Sequence, residues 1–465
     1  MGVQAVAGSF RDPSGFVYTR DGILYRQVNQ AFRDRFEVFL ASGLYDELAG
    51  ERLLVSHRPA ALELAASADA YAVLEPERVG FVSYPYEWSF GQLRDAALLT
   101  LDLQDRALQR GLTLRDASAY NVMFEAGRPI FVDSLSFEPR EPGAPWAAYK
   151  QFCEHFLVPL ALMCRRDIRC GALLRSHLDG IPLDLGSRLL PRRSWLRLGT
   201  LLHVHLHAWL QRRYARAGAA GRSRPLSLGA AIGLVRSLRA AVERLDWAPA
   251  GTEWAEYTTD NTYTPEAARS KRETVIGMLR GLGARVAWDL GANTGEYSRA
   301  AREIISRVVS FDLDPAAVER NYYRIRLEGE TGILPLLLDL TNPSPAQGWA
   351  HRERLSLEQR GPADVLLALA LVHHLAIGHN LPLERIAAFL ARLGRSLVIE
   401  FVPKSDAQVQ RLLRDRPDIF PTYTPEGFEE AFRRRFRIDD VQPVAESQRV
   451  LYRMTSCATG EGESE

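Results

Sequence analysis

Seven consecutive residues, Asp289-Leu290-Gly291-Ala292-Asn293-Thr294-Gly295, place a carboxylate, two glycines and a side-chain amide directly behind the apolar run Val286-Ala287-Trp288. Gly291 and Gly295 stand four apart, so side-chain bulk is missing from both sides of one tight turn and backbone can approach a bound group closely. A second apolar run, Val308-Val309-Ser310-Phe311, ends in Asp312-Leu313-Asp314. Asp289 and Asp312 are 23 positions apart, close to the roughly 20 that sets a carboxylate beside a ribose in βαβ nucleotide folds. The chemistry this pattern suits is the holding of a nucleoside-like ligand at the carboxyl edge of a parallel sheet.

The elements that must position these residues are readable on either side. From Trp254 to Cys457 short apolar runs alternate with helical patterns, as a parallel, doubly wound α/β sheet requires. Thr264-Pro265-Glu266 reads as a capped helix start running to Leu279. Strands are expected at Arg285 to Leu290, Val308 to Asp312, Gly332 to Leu338, Ala363 to Leu371 and Ser396 to Phe401. Thr424-Pro425-Glu426 opens a further helix, and Arg437 to Val441 with Arg449 to Met454 suit a closing antiparallel pair. The tail 458–465 is polar enough to be expected disordered.

Asp-x-Gly-x-Asn-x-Gly followed by a Phe-Asp-x-Asp strand end resembles the class I S-adenosylmethionine-dependent methyltransferases, over residues 254–457. The resemblance implies a seven-stranded doubly wound sheet and S-adenosylmethionine as cofactor. It further implies that Asp289, Gly291, Asn293 and Gly295 line the methionine part, Asp312 the ribose and Asp339 the adenine amino group. Asp339-Leu340-Thr341 reads equally as a helix or turn cap. Asn293 stands where dinucleotide enzymes carry a middle glycine, which argues against a pyrophosphate. The overall pattern is also similar to methyltransferases associated with bacterial nodulation.

Methyl transfer asks an enzyme mainly to hold donor and acceptor in contact and, for an O or N acceptor, to take a proton. Strand four ends in Leu371-Val372-His373-His374, at the edge that faces the donor methyl in that family, so a histidine there is the candidate base. From an extended chain adjacent side chains point oppositely, and His373 is chosen over His374; a structural cap is the competing reading. Glu400, ending strand five, is a second pocket-edge candidate. Asn342-Pro343-Ser344-Pro345 opens an insertion to Pro362, read as a lid or acceptor wall. The acceptor stays open among small molecule, glycan and protein, because no basic stripe with interleaved aromatics gives a nucleic-acid signal.

The first half differs in texture. Gly15 to Tyr18 and Gly22 to Arg26 bracket a hairpin turn at Arg20-Asp21-Gly22, and Gln92 to Arg110 reads as a helix stopped by Gly111. Asp116, Asn121 five later and Asp133 at a strand end resemble the catalytic loop and metal ligands of protein-kinase-like phosphotransferases. The resemblance implies an α+β kinase-like domain over 1–165, with a mostly helical extension or linker over 166–253 that includes a loop at Gly218 to Pro225. Departures are plain: no Gly-x-Gly-x-x-Gly loop is present, Ser134-Leu135 follows Asp133, and no lysine precedes Lys150. A scaffold or acceptor-recognition module is therefore expected. A phosphotransferase with a regulatory second half and a non-catalytic donor-binding adaptor are the rivals.

Composition sets the frame. The 465 residues are 46% hydrophobic and 25% charged with a formal net charge of +1, which suits two or three globular domains and gives no whole-molecule field toward nucleic acid or membrane. Four cysteines without paired short spacing suggest neither zinc nor a disulfide scaffold. His203, His205 and His207 alternate, but in a helix only His203 and His207 share a face, so no metal site is expected. No signal peptide is visible and the apolar segments at Phe156 to Cys164 and Val365 to Leu375 are short, so a soluble, cytoplasmic protein without a membrane partner is expected.

Overall fold

Capped helices and short apolar strands are the local units from which this chain builds two bodies. A computed structural model describes residues 2–217, 225–249, 264–414 and 416–457. Trp254, residues 218–224 of the expected loop and the tail 458–465 lie outside the described residues. One unit comprises Met1–Ala248 together with Gln347–Arg354, the other Pro249–Ala346 with Leu355–Glu465.

The first unit opens with β1 (Gln4–Ala5), β2 (Gly15–Arg20), β3 (Ile23–Asn29), β4 (His57–Ala60) and β5 (Ala70–Pro76), an antiparallel sheet in the order β1-β2-β3-β5-β4. Asp21 at φ 52° and Gly22 at φ 80° make the β2/β3 turn, the left-handed pair that matches the twist of a two-residue hairpin. Helices Arg33–Ala41 and Leu44–Gly50 connect β3 to β4. The helix Phe90–Gln109 starts in a reciprocal capping box between Ser89 and Gln92 and stops before Gly111 at φ 72°. Two small pairs follow: β6 (Leu112–Leu114) with β9 (Phe137–Pro139), and β7 (Val122–Glu125) with β8 (Arg128–Phe131). Phe39 stacks on Phe137 at 4.6 Å and fastens the helix Arg33–Ala41 to β9. The segment Gln347–Arg354 joins this unit through the Arg354 guanidinium over the Tyr120 ring at 4.0 Å, the Glu353 carboxylate on Arg11, and a Gln347 Nε2 hydrogen bond of 2.8 Å to the Arg175 carbonyl.

In the second unit β10 (Val286–Leu290), β11 (Arg307–Asp312), β12 (Ile333–Leu337), β13 (Ala363–Ala368), β14 (Gly394–Phe401), β15 (Phe436–Pro443) and β16 (Val450–Ser456) form one sheet. Its order is β12-β11-β10-β13-β14-β16-β15, parallel except for β16, which runs antiparallel to β14 and to β15. Both faces are covered, as a parallel sheet demands. Val275, Leu279 and Ile305 pack with Ala287, Val308, Val365 and Val398 in one buried cluster, while Trp288 meets Phe311 edge-on at 5.6 Å. This is the mixed α/β, seven-stranded sheet the sequence pattern led one to expect. β13 stops at Ala368, three residues short of the expected end at Leu371, with consequences for the site. Among the described residues no helix is long and apolar enough to cross a membrane.

Thr264 and Thr424 cap their helices as expected, accepting from the Ala267 and Gly427 N–H groups at 3.1 Å each. Thr424→Ala should cost about 1 kcal/mol, measured by urea denaturation; a change below a few tenths would show that the cap contributes nothing.

Candidate functional site

Over the carboxyl ends of β10 to β13 lies a pocket of about 210 Å³, with Gly291, Asn293, Asp312, Asp339, Leu371, His374 and His379 among its lining residues. Its floor is the glycine turn. The Gly291 and Ala292 N–H groups both donate to the Phe311 carbonyl at 2.9 Å, which draws the end of β10 against β11. Gly291, Asn293 and Gly295 are left-handed, at φ 75°, 49° and 81°. A Cβ at Gly295 would be strained by its φ of 81° and would lie 2.5 Å from the Asn321 amide nitrogen, so both conformation and space favour glycine there. Arg299 clamps the turn from outside, its guanidinium donating to the Thr294 carbonyl at 2.8 Å and to Asn321 Oδ1 at 3.0 Å.

Asp312 ties turn to strand. Its Oδ2 accepts the Asn293 N–H at 2.7 Å and its Oδ1 accepts the Asp314 N–H at 2.8 Å. Burial pushes its pKa up to about 6 in spite of those two donors. Asp339 lines the pocket and at the same time accepts from the Thr341 N–H at 2.8 Å and hydroxyl at 2.6 Å, so cap and pocket wall are one residue. Asp289 sits behind the turn, not in the pocket lining. It is buried, accepts from Ser298 Oγ at 2.6 Å, and is pushed by burial up to about 7. Gly295 likewise shapes the turn without lining the pocket.

The edge of strand four departs from the sequence reading. After Ala368 the chain turns through Ala370 at φ 49° into a short π-helical stretch, His374–Gly378. The two histidines therefore sit at a helix start and not in an extended strand, and the argument from alternating side chains does not apply. His373 is fully buried, and neither ring nitrogen has a hydrogen-bond partner among the described residues. His374 lines the pocket, as does His379. Burial, with His379 and Arg449 nearby, pushes His374 down to about 4, so it is a neutral, weakly basic imidazole at pH 7. Glu400 is also outside the pocket lining and fully buried. Its Oε2 accepts from Lys271 Nζ and from the Ala370 N–H, each at 2.7 Å, and Arg449 Nη1 stands 3.9 Å from Oε1.

In the first unit's cluster both carboxylates are engaged by neighbouring groups, while Asn121 Nδ2 is buried with no hydrogen-bond partner among the described residues. Asp133 is ion-paired to Arg26 of β3 and accepts from Ser136 Oγ; burial pushes its pKa up, but these partners hold it below the ordinary value. Asp116 accepts from the Ser118 N–H at 2.8 Å and Gln151 Nε2 at 2.9 Å, and burial raises it. The Asn121 carbonyl accepts the Val132 N–H at 2.8 Å, next to Asp133.

No family model matches the chain. Nodulation protein NoeA of Rhizobium meliloti (strain 1021) is 37% identical over 456 residues, covering 96% of this chain and 95% of that protein. The chain belongs to the NoeA family. Solved structures with partial likeness include the N-methyltransferase NodS from Bradyrhizobium japonicum WM9, at 13% identity and a TM-score of 0.30 over 41% of this chain and 97% of NodS. A SAM dependent methyltransferase from Aquifex aeolicus gives 16% identity and a TM-score of 0.31 over 44% of this chain and 100% of that one. Monomeric WbdD gives 16% and 0.29 over 43% of each chain. Likeness at this level of superposition says nothing about activity.

In this NoeA-family chain His374, weighed and set second to His373, is the histidine of the two that lines the pocket, and Leu371 and His379 are lining residues that sequence reasoning did not assign to it. Ala370 is left-handed and donates its N–H to the distant Glu400 carboxylate, and nothing in the local sequence announces that turn. The buried Lys271–Glu400 pair generates a prediction. Lys271→Met should destabilise the second unit by about 3 kcal/mol, because it removes the closer cation from a buried carboxylate and leaves Arg449 alone at 3.9 Å, while Lys271→Met with Glu400→Leu should recover part of that loss. Equal urea midpoints for Lys271→Met and the unaltered protein would contradict this account.

Proposed function

We propose that the second unit binds S-adenosylmethionine and transfers its methyl group to an acceptor of small-molecule, glycan or protein nature. The first unit, in this reading, is a kinase-like scaffold or acceptor-recognition module. The observation that carries the proposal is Asp312, a half-buried carboxylate at the end of the second strand, anchored by the glycine-turn N–H and facing the same pocket as Asp339 at the end of the third.

The residues present fit such a donor. Gly291 and Asn293 offer backbone without bulk to its amino-acid part, Asp312 has carboxylate lone pairs for ribose hydroxyls, and Asp339 stands for the adenine amino group. When bound, the sulfonium supplies the methyl group. The protein's own work is orientation and the exclusion of water, for which the apolar wall of Phe311, Leu338 and Leu369 is suited. His374, and not His373, lines the pocket, and as a neutral imidazole it is the better placed of the two to meet an acceptor proton. Glu400 serves by holding the Ala370 turn that presents His374. The Arg26–Asp133 pair counts against the phosphotransferase rival, since a guanidinium occupies the carboxylate a metal ion would need.

Isothermal titration with S-adenosylmethionine and S-adenosylhomocysteine tests the reading. Binding is expected, with Asp312→Ala weakening it at least about tenfold, the loss of a charge-assisted hydrogen bond or more. Absence of binding, or an unaffected Asp312→Ala, rejects the proposal. The pH dependence follows from the raised pKa of Asp312, about 6. Below that value the carboxyl is protonated and accepts poorly, so S-adenosylhomocysteine should bind progressively more weakly from pH 7.5 to 5, and Asp312→Asn should flatten the profile.

A further inference from the structure

The net charge of +1 averages over a very uneven chain. Between Leu185 and Ala217 there are seven arginines and no Asp, Glu or Lys. In the first unit this segment folds as a 3-10 turn, Arg192–Leu196, followed by a continuous helical stretch made of Leu198–Thr200, the π-helical Leu201–Leu206 and His207–Ala217.

One side of that stretch is pinned inward. His203, Val204, His205 and Ala208 are buried. The His203 ring lies between Tyr149 Oη at 2.8 Å and Ser237 Oγ at 2.9 Å, and His205 between Ser187 Oγ at 2.8 Å and Ser194 Oγ at 2.7 Å. All four nitrogens thus have hydroxyl partners, which fixes the helix rotation. What this leaves outward is an apolar ridge. Leu198, Leu202, Leu206 and Trp209, spaced by four, four and three, are exposed, with Leu198 at 63% and Trp209 at 45%. Leu196 at the turn is 87% exposed, and its neighbour Trp195 is stacked on His205 at 4.3 Å with 47% of its surface open. A lone exposed leucine is ordinary, whereas a contiguous ridge of this kind marks an interaction surface.

The charge beside the ridge identifies the partner. Arg192, Arg193, Arg197 and Arg212 make no ion pair among the described residues. Arg193 and Arg197 join Arg165, Cys164 and Leu196 around a cleft of about 500 Å³ with no carboxylate in its lining. The Arg165 Nε is buried there without a hydrogen-bond partner among the described residues. Unpaired guanidiniums are strong, fork-shaped phosphate donors. Set against a Leu/Trp ridge, they match the two layers of a membrane surface, phosphate headgroups above acyl chains. Nucleic acid would satisfy the arginines and leave the leucines in water.

We propose that this face of the first unit docks on a bilayer containing anionic phospholipid, the ridge from Trp195 to Trp209 entering the interface and Arg165, Arg193 and Arg197 holding a headgroup phosphate. It sets aside the expectation of no membrane partner, which rested on whole-chain charge and on apolar segments too short to span a bilayer. The inference does not depend on the methyltransferase reading.

Flotation of the full-length protein with phosphatidylcholine vesicles carrying roughly 30% phosphatidylglycerol, and with pure phosphatidylcholine, tests it. The protein should float with the anionic vesicles and lose most binding at high salt. Leu196→Ser with Leu198→Ser and Trp209→Ser should reduce the bound fraction about tenfold, and Arg193→Gln with Arg197→Gln should abolish the preference for anionic lipid. Thermal melting checks that the variants remain folded; should the apolar variant not fold, the arginine variant and the salt series decide. No flotation at low salt overturns the proposal, as does undiminished flotation of the variants. So does a dimer that the leucine substitutions dissolve without any vesicle binding, or retention of an RNA oligonucleotide in place of vesicles.

Discussion

A carboxylate in a dry interior must be compensated, and at Glu400 that requirement organises the functional end of the second unit. An isolated buried charge is far more costly than any single packing contact. The Lys271 ammonium and the Ala370 N–H supply hydrogen bonds, with Arg449 close by. These groups come from the helix Pro265–Leu279, the turn after β13 and the segment entering β16. One charge thereby sets the relation of three elements that no short-range rule connects. The left-handed Ala370, a conformation that costs a non-glycine residue on the order of 1–3 kcal/mol, is sustained by it.

This explains what the sequence could and could not disclose. The glycine turn and Asp312 were legible because their demands are local: a tight turn needs residues tolerant of positive φ, and a strand-end acid follows from the βαβ spacing. The helix starts at Thr264 and Thr424 were legible for the same reason. The choice between His373 and His374 was not, since Leu369-Ala370-Leu371-Val372 has the same apolar texture as the strand before it. The strand ends at Ala368, and the turn after it is tied by the Ala370 N–H to the distant Glu400. Glu400 looked like a pocket acid because it ends β14, but a strand end can face inward as readily as outward, and its cation, Lys271, lies 129 positions away.

In the first unit, too, averages hid the informative feature. A near-zero net charge concealed an acid-free, arginine-rich segment, and a helical pattern gave no hint that its alternating histidines face hydroxyls inside while leucines face out. Histidine triplets invite a metal reading; here His203 and His205 instead use both ring nitrogens as structural polar contacts, with burial keeping the rings neutral. The Asp116 and Asp133 carboxylates are likewise occupied by their own neighbours, Arg26 above all.

The segment Gln347–Arg354 gives the first unit a discontinuous chain. During synthesis from the N-terminus, the first 248 residues emerge without the guanidinium that covers Tyr120 or the carboxylate that meets Arg11. Those contacts wait for roughly a hundred further residues, among them β10, β11 and β12. A ribosome-bound intermediate therefore holds an unfinished first body while the glycine turn of the second is already made, and a gene encoding either body alone cannot be obtained by one cut.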